Sequence, residues 1–168
     1  MNKSVLLVAA AFSLPLPAAA QSSNFFVAFL NGYQEVPSVS TRGEGIFQAN
    51  VSRDRNTIDY VLQYKDLQAP VQQAHIHFAQ TAVNGPIVVW LCGSAAIPGP
   101  AGTQTCPQEG IVRGTISAVN VLAAPPTQQL AAGELQEIIS AMRAGAAYVN
   151  IHTAVSPGGE VRGQLKPW

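Results

Sequence analysis

Short runs in which apolar and polar residues alternate fill most of the chain from residue 25 onward, with Gly, Pro, Asn and Ser between them. In the segment 58–65, for example, Tyr60, Leu62 and Tyr64 alternate with mostly polar neighbours. This period of two predicts β-strands with one buried face, because successive side chains of a strand point to opposite sides. About eight such strands are predicted, in NFFVAFLNG, GEGIFQANVS, TIDYVLQYKDL, QQAHIHFA, IVVWLC, GIVRGTISA, AYVNIHT and GEVRGQL. Their number and spacing predict an all-β fold, an antiparallel Greek-key-like β-sandwich or barrel.

One segment departs from this alternation. In LAAGELQEIISAMRAG, apolar residues such as Leu135, Ile138 and Met142 recur at helical spacing, and Gly145 can end a helix. The pattern predicts one α-helix over residues 131–143, inserted between two strands, with its apolar stripe covering the end or side of the β-structure.

The first residues have the composition of a secretory signal peptide. Lys3 precedes a short apolar run, and small residues at Ala18–Ala20 precede Gln21. Two prolines interrupt this run, which is shorter than the ~20 apolar residues that a membrane-spanning helix needs. We therefore predict a signal peptide over residues 1–20, a mature exported chain of one domain over residues 21–168, and no membrane span in it.

The charge balance limits the partners. Lysine and arginine number 9 and aspartate and glutamate also 9, so the formal net charge is zero. Such a chain has no long-range attraction for nucleic acid or anionic membranes, and no basic stripe with interleaved aromatic residues is present. We expect no nucleic-acid partner. The expected partner is an extracellular or periplasmic protein or surface.

Cys92 and Cys106 are the two cysteines of the chain, and the segment GSAAIPGPAGTQT lies between them. In an exported protein an isolated pair is most simply a disulfide. By the loop-entropy estimate such a bond contributes roughly 3 kcal/mol to stability. The alternative, two thiolate metal ligands, requires a reducing compartment, and we predict the disulfide.

A short motif occurs twice, as GIVRGTI at 110–116 and GEVRGQL at 159–165. In each strand the arginine, Arg113 or Arg162, faces away from the preceding valine. The glycine after each arginine leaves room for a neighbouring backbone, a bulge or a bend. Matched arginines favour matched structural partners, while a clamp for an anionic substrate is the alternative. The candidate partners are Glu35, Glu44 and Asp66.

All three histidines of the chain lie in two strand patterns, AHIH and YVNIHT. His75 and His77 share one face of their strand, and His152 lies on the equivalent outer face of its own. If the two strands are neighbours, three imidazoles converge into a set that zinc and copper(II) accept. The alternative is structural, with hydrogen bonds from the rings to cross-strand polar groups such as Asn150 and Thr153.

Catalytic motifs are not recognisable. There is no G-x-S-x-G elbow, P-loop or dinucleotide fingerprint, and no free thiol remains once the cysteines pair. Copper–zinc superoxide dismutase also carries a His-x-His pair on a Greek-key sandwich, but this chain lacks the further histidines and the metal-bridging histidine that such an enzyme needs. The sequence therefore favours a non-enzymatic protein.

Taken together, four segments resemble the recurrent blocks of the CHRD domain: LNGYQEVPSV, AHIHFAQTAVNGPIVVWL, MRAGAAYVNIHT and SPGGEVRGQL. That family is named for its repeats in chordin and occurs widely in exported bacterial proteins. The resemblance runs from Phe25 to Leu165. It implies an all-β module in the periplasm or outside the cell, and it implies no particular chemistry. Chordin binds growth-factor ligands through separate cysteine-rich modules, which this sequence lacks, so that activity is not carried over.

Three classes of function remain. The favoured class is an exported, non-enzymatic CHRD-type binding or interaction module whose ligand the sequence does not identify. The alternative is a periplasmic or extracellular metal-binding protein that holds copper or zinc with His75, His77 and His152, with redox chemistry open to it. The third class is an enzyme, for which the sequence nominates no site.

Overall fold

The computed structural model describes residues 23–168, and the predicted signal peptide lies outside the described residues. This part of the chain forms nine strands and one α-helix, joined by turns and three short 3-10 helices. The elements are β1 (Phe25–Asn31), β2 (Glu44–Val51), β3 (Ile58–Lys65), β4 (Val71–Phe78), β5 (Ile87–Cys92), β6 (Gly110–Ile116), α1 (Leu135–Arg143), β7 (Ala147–Thr153), β8 (Val161–Gln164) and β9 (Lys166–Pro167).

The strands form one antiparallel sheet in the order β5-β4-β7-β8-β1-β2-β3-β6, and β9 pairs with β1. The chain crosses between non-neighbouring positions, since β3 pairs with β6 while β4 pairs with β7. The sheet curls until its edge strands β5 and β6 approach, and the Tyr60 hydroxyl of β3 donates to the Leu91 carbonyl of β5 at 3.1 Å. The prediction of an all-β antiparallel fold is confirmed, and the form is a nearly closed barrel.

Strand alternation fills the barrel interior. In β3, for example, the buried residues alternate with more exposed ones, and the buried set is Ile58, Tyr60, Leu62 and Tyr64. The inward side chains of the other strands form one continuous apolar core, which includes Phe26, Leu30, Phe47, Ile76, Val89, Leu91, Val112, Val149, Ile151 and Val161.

The predicted helix is present but begins later than expected, at Leu135 instead of residue 131. Residues 131–134 form a turn in which the Ala131 N–H donates to the Glu134 carboxylate at 2.7 Å, and Glu134 has a non-helical ψ of 64°. The apolar stripe of α1 is buried against β7 and β9 at one side of the barrel. Gly145 follows the helix at φ 67°, as a helix-ending glycine does.

Cys92 and Cys106 are joined in a disulfide, as predicted. The bond closes a loop that leaves β5 and returns before β6, and a bridge between Gly93 and Thr105 ties its two ends. The loop backbone packs on an indole, because a Cβ added at Gly99 would lie 2.6 Å from the Trp90 ring.

No helix within residues 23–168 has the length and apolar character needed to cross a membrane.

Candidate metal centre

Neighbouring strands bring the three histidines together. β4 carries His75 and His77, β7 carries His152, and the antiparallel pairing sets His75 opposite Asn150 and His77 opposite Tyr148. On its other side β4 pairs with β5, with register shifts between residues 74 and 75 and between 76 and 77. Such bulges re-aim side chains and are common beside functional sites.

The rings lie on the outer face of the sheet, as the alternation predicts, but that face is not open to water. His75 is 0% exposed, His77 6% and His152 7%. The sequence pattern could not show this covering, because it comes from distant loops. The segments 79–86 and 154–160 fold back over the strands and enclose the rings between sheet and loop.

The histidines form a compact group. Each ring offers a nitrogen that lies within 4.8 Å of the corresponding nitrogens of the other two. The ring centroid of His75 lies 5.5 Å from that of His77 and 5.0 Å from that of His152. Ligand nitrogens on one tetrahedral zinc ion lie about 3.3 Å apart, since zinc–nitrogen bonds are about 2.0–2.1 Å. The nitrogens therefore need to approach one another by no more than about 1.5 Å to reach a common ion.

Two backbone carbonyls set the orientation of two rings. Nδ1 of His77 lies 2.9 Å from the Gly85 carbonyl oxygen, and Nδ1 of His152 lies 2.9 Å from that of Pro157. A carbonyl only accepts, so each Nδ1 carries the proton and each Nε2 of a neutral ring presents a lone pair. Metal-ligating histidines are held in this way. Glycine is needed at residue 85, because a Cβ there would meet the Phe78 carbonyl oxygen at 2.2 Å.

Several ring nitrogens have no hydrogen-bond partner among the described residues. They are both nitrogens of His75 and Nε2 of His77. A buried polar atom without a partner costs roughly 1–3 kcal/mol, so native proteins seldom keep three of them side by side. The structural alternative, in which cross-strand hydrogen bonds satisfy the rings, fails for His75. It holds in part for His152, whose Nε2 lies 3.0 Å from the Asn150 amide oxygen.

Burial keeps the imidazoles in the neutral form that can bind a metal. Burial, helped by the neighbouring histidines, lowers the pKa of His75 to about 2. Burial likewise lowers the pKa of His77 to about 4, although the Gly85 carbonyl opposes the shift, and it also lowers that of His152. The three rings are thus deprotonated ligands near neutral pH, with no proton to displace.

A polar layer continues from the histidines across β7 and β8. Tyr148 stacks on His77 with ring planes 4° apart, and the Arg162 guanidinium lies 3.4 Å from the Tyr148 ring centroid. Glu35 lies next to this layer and is 6% exposed. Burial raises the pKa of Glu35 to about 7, although Arg162 and Asn150 oppose the shift.

An indole covers the remaining side of the group. The ring centroids of His75 and Trp90 are 4.3 Å apart, with the planes 79° from parallel. The disulfide-closed loop packs on Trp90 in turn. The disulfide and the histidines, two separate features of the sequence, thus meet at this residue.

The sequence pattern predicts the three histidines, and Asn150 as a candidate hydrogen-bond partner of the rings, but it assigns no role in the site to Glu35, Tyr148 or Trp90. For β7 a signal existed, because Tyr148, Asn150 and His152 alternate on one face of a strand that is buried along its whole length. Glu35 carries no such signal, since it lies in a loop far from the histidines along the chain.

A second feature lies on another part of the barrel surface. The outer sides of β1, β2, β3 and β6 form a shallow groove of about 780 Å³. Among the residues that line it, Phe29 is 57% exposed and Ile111 is 46% exposed. The charged pair Glu44 and Lys65, 3.0 Å apart, lies at the same surface.

The fold and the site define a disulfide-bonded, all-β barrel with a buried three-histidine group that can hold a metal ion. The sequence model of the CHRD domain matches residues 26–165, nearly the whole chain. The protein belongs to the CHRD domain family, as the resemblance of its sequence blocks predicts. No curated protein and no solved structure matches the chain.

Proposed function

We propose that this CHRD domain is an exported, non-enzymatic binding module, and that its ligand is a transition metal ion, copper or zinc. His75, His77 and His152 are the proposed ligands. The observation that supports this most is the group of three buried rings, each with a nitrogen within 4.8 Å of those of the other two, in which both nitrogens of His75 and Nε2 of His77 have no partner among the described residues. Imidazole suits both metals, and copper(II) binds such sites more tightly than zinc.

Export is part of the proposal. The disulfide favours an oxidising compartment, the periplasm or the extracellular space. The predicted signal peptide over residues 1–20 leads us to expect that the protein recovered from an exporting host starts at Gln21. Mass spectrometry of the secreted or periplasmic product measures this. An exported product that still carries residues 1–20 contradicts the proposed cleavage.

The metal proposal is tested by titrating zinc and copper(II) into protein prepared without a histidine tag. The wild type should bind one ion. Each of His75→Ala, His77→Ala and His152→Ala should weaken binding more than the roughly 10–100-fold that loss of an outer-shell partner costs. Arg113→Ala, on an exposed site far from the group, is the control and should bind as the wild type does. Equal, weak binding in all five proteins contradicts the site.

A second candidate keeps the binding role but replaces the metal with a macromolecular partner. The exposed apolar side chains of the groove, Phe29 and Ile111, favour it, because large exposed apolar patches often mark interaction sites. Metal analysis separates the two candidates. A stoichiometric ion in the purified protein supports the metal site, and protein that stays metal-free under zinc or copper loading supports the interaction module.

A further inference from the structure

Asn150 is a buried amide beside the histidines, and the three-histidine group alone assigns it no role. Asn150 is 2% exposed, and its amide oxygen lies 3.0 Å from Nε2 of His152. Across the sheet it lies directly opposite His75. Its amide oxygen thus contacts one proposed ligand ring, and the residue is the cross-strand neighbour of a second.

When the His152 ring is neutral, no hydrogen lies between its Nε2 and the Asn150 amide oxygen. Nδ1 of His152 carries the hydrogen, because it faces the Pro157 carbonyl oxygen at 2.9 Å. A neutral imidazole carries one hydrogen only, so with Nδ1 protonated Nε2 bears a lone pair. The lone pair then faces the Asn150 oxygen, which also only accepts. Two acceptors at 3.0 Å repel each other unless a cation lies between them.

The separation of these two atoms suits a shared ion. Two atoms bonded at about 2.1 Å to one metal ion lie about 3.0–3.4 Å apart, for angles between 90° and the tetrahedral value. The observed 3.0 Å falls in that range. We propose that the Asn150 amide oxygen is a fourth ligand of the metal held by the three histidines, an inference that rests on the proposed function. The site is then a closed set of three nitrogens and one oxygen.

Glu35 holds the amide in the required orientation. A Cβ added at Gly159 would lie 2.5 Å from Oε1 of Glu35 and 2.7 Å from the Asn150 amide nitrogen, so these two atoms are neighbours. The two side chains therefore converge at Gly159, and Oε1 of Glu35 has no hydrogen-bond partner among the described residues. With its nitrogen turned to Glu35, the amide presents its oxygen to the histidines. Glu35 is therefore the positioning residue for this amide in the proposed site.

The opposite orientation of the amide defines the competing explanation. If the nitrogen faces His152 and the oxygen faces a protonated Glu35, Asn150 is a hydrogen-bond donor that supports the fold and does not touch the metal. The two orientations give different results when the residue is replaced by a side chain that can accept but cannot donate.

The test compares zinc affinity and the copper(II) electron paramagnetic resonance spectrum of the wild type, Asn150→Ala and Asn150→Asp, the last made together with Glu35→Gln to avoid two adjacent buried carboxylates. As a ligand, Asn150 predicts for Asn150→Ala a changed spectrum and a loss in zinc affinity greater than the roughly 10–100-fold that loss of an outer-shell partner costs. It also predicts that the Asp variant binds at least as tightly as Glu35→Gln alone. The control Asn50→Ala, an exposed strand asparagine, should change nothing.

Other outcomes overturn the inference. Unchanged affinity and spectrum in Asn150→Ala, or weaker binding in the Asp variant than in Glu35→Gln, assign the amide a supporting role only, while the three-histidine site stands. If the wild type binds no metal, the proposed function itself fails. Should the variants not fold, a zinc-loaded crystal structure of the wild type decides: zinc to the Asn150 oxygen at about 2.0–2.2 Å supports the ligand, and more than about 3 Å overturns it.

Discussion

The outer surface of the barrel has two parts of opposite character. On β4, β7 and β8 the outward side chains are polar and yet buried, with His75 at 0% exposure and Arg162 at 2%. We call this the covered face. On β1, β2, β3 and β6 the outward side chains include Phe29 and Ile111, which are apolar and about half exposed. We call this the bare face. The polar side chains are thus buried and the apolar ones exposed, the reverse of the usual order, and this is the arrangement that the proposed metal site requires.

The repeated motif G-x-V-R-G has one arginine on each of the two faces. Val112 in β6 and Val161 in β8 both point into the core, at 1% and 0% exposure. Arg113 is exposed on the bare face, whereas Arg162 lies in the covered face. The same local sequence therefore sets the same strand and the same alternation. The loops above each strand decide whether its arginine meets water.

Arg162 is held by the loop that covers it. Its guanidinium donates to the side-chain oxygen of Asn84 at 3.1 Å and to the carbonyls of Val83 at 2.9 Å and Gln80 at 3.4 Å. Of the acidic partners that the sequence suggests, Glu35 acts on Arg162, while Glu44 pairs with Lys65. Arg162 thereby fixes the loop whose Gly85 carbonyl orients His77.

The largest difference between the faces should appear in acid. The three buried histidines are neutral in the folded, metal-free protein, because burial lowers their pKa values, to about 2 for His75 and about 4 for His77. In the unfolded chain they take up protons below pH ~6.5. The stability that they contribute is present above that pH and is lost as the pH falls.

Glu35 acts in the opposite direction. Burial raises its pKa from 4.5 to about 7, so its contribution is present at low pH and is lost as the pH rises through about 7. Between pH 4.5 and 6.5, the histidines bind as many as three protons when the protein unfolds, and Glu35 releases one. The free energy of unfolding should fall by up to about 2.7 kcal/mol per pH unit of acidification. Urea unfolding at several pH values measures the slope. Glu35→Gln should make it steeper, and a slope near zero contradicts the assignment.

The next largest effect should separate the two arginines. Arg162→Met removes three hydrogen bonds donated by a buried guanidinium and the contact with Tyr148, so we expect a loss of about 3 kcal/mol in the free energy of unfolding. Arg113→Met should change it by less than about 0.5 kcal/mol, as exposed substitutions usually do. Urea unfolding of both variants gives the comparison. Similar losses would mean that the covering loop does not distinguish the two strands.

Part of the fold and of the candidate metal site was predictable from the sequence. Strand alternation depends on local apolar and polar order, so the all-β fold, the shared face of His75 and His77 and the helix near residues 135–143 could be predicted. The disulfide followed from the count of cysteines. The burial of the histidines could not be predicted, because the segment 79–86 covers them through contacts with Arg162 that are far apart in the chain.

The first glycines of the two motifs allow a finer test. Gly110 and Gly159 both have positive φ, 112° and 123°, so alanine is strained at each. At Gly110 an added Cβ meets no atom within 4 Å, whereas at Gly159 it would lie 2.5 Å from the Glu35 carboxyl oxygen. We expect Gly159→Ala to cost about 1–3 kcal/mol more than Gly110→Ala, since the backbone strain is common to both and only the collision differs. Equal losses of thermal stability would show that the Glu35 side chain moves aside at little cost. That result would contradict a tightly packed covered face.

The smallest effect is expected on the bare face, at the ion pair between Lys65 and Glu44. Their charged atoms are 3.0 Å apart, yet the side chains are 64% and 59% exposed. Water and salt screen such a pair, and ordering two long side chains offsets most of its attraction. Glu44, by hydrogen bond and charge, raises the pKa of Lys65, so the contact exists, but it should contribute little to folding. Lys65→Met should leave the urea midpoint unchanged within error, at both low and high salt. A loss comparable to that of Arg162→Met would show that an exposed charged side chain stabilises the fold as much as a covered one. The distinction between the two faces would then not hold.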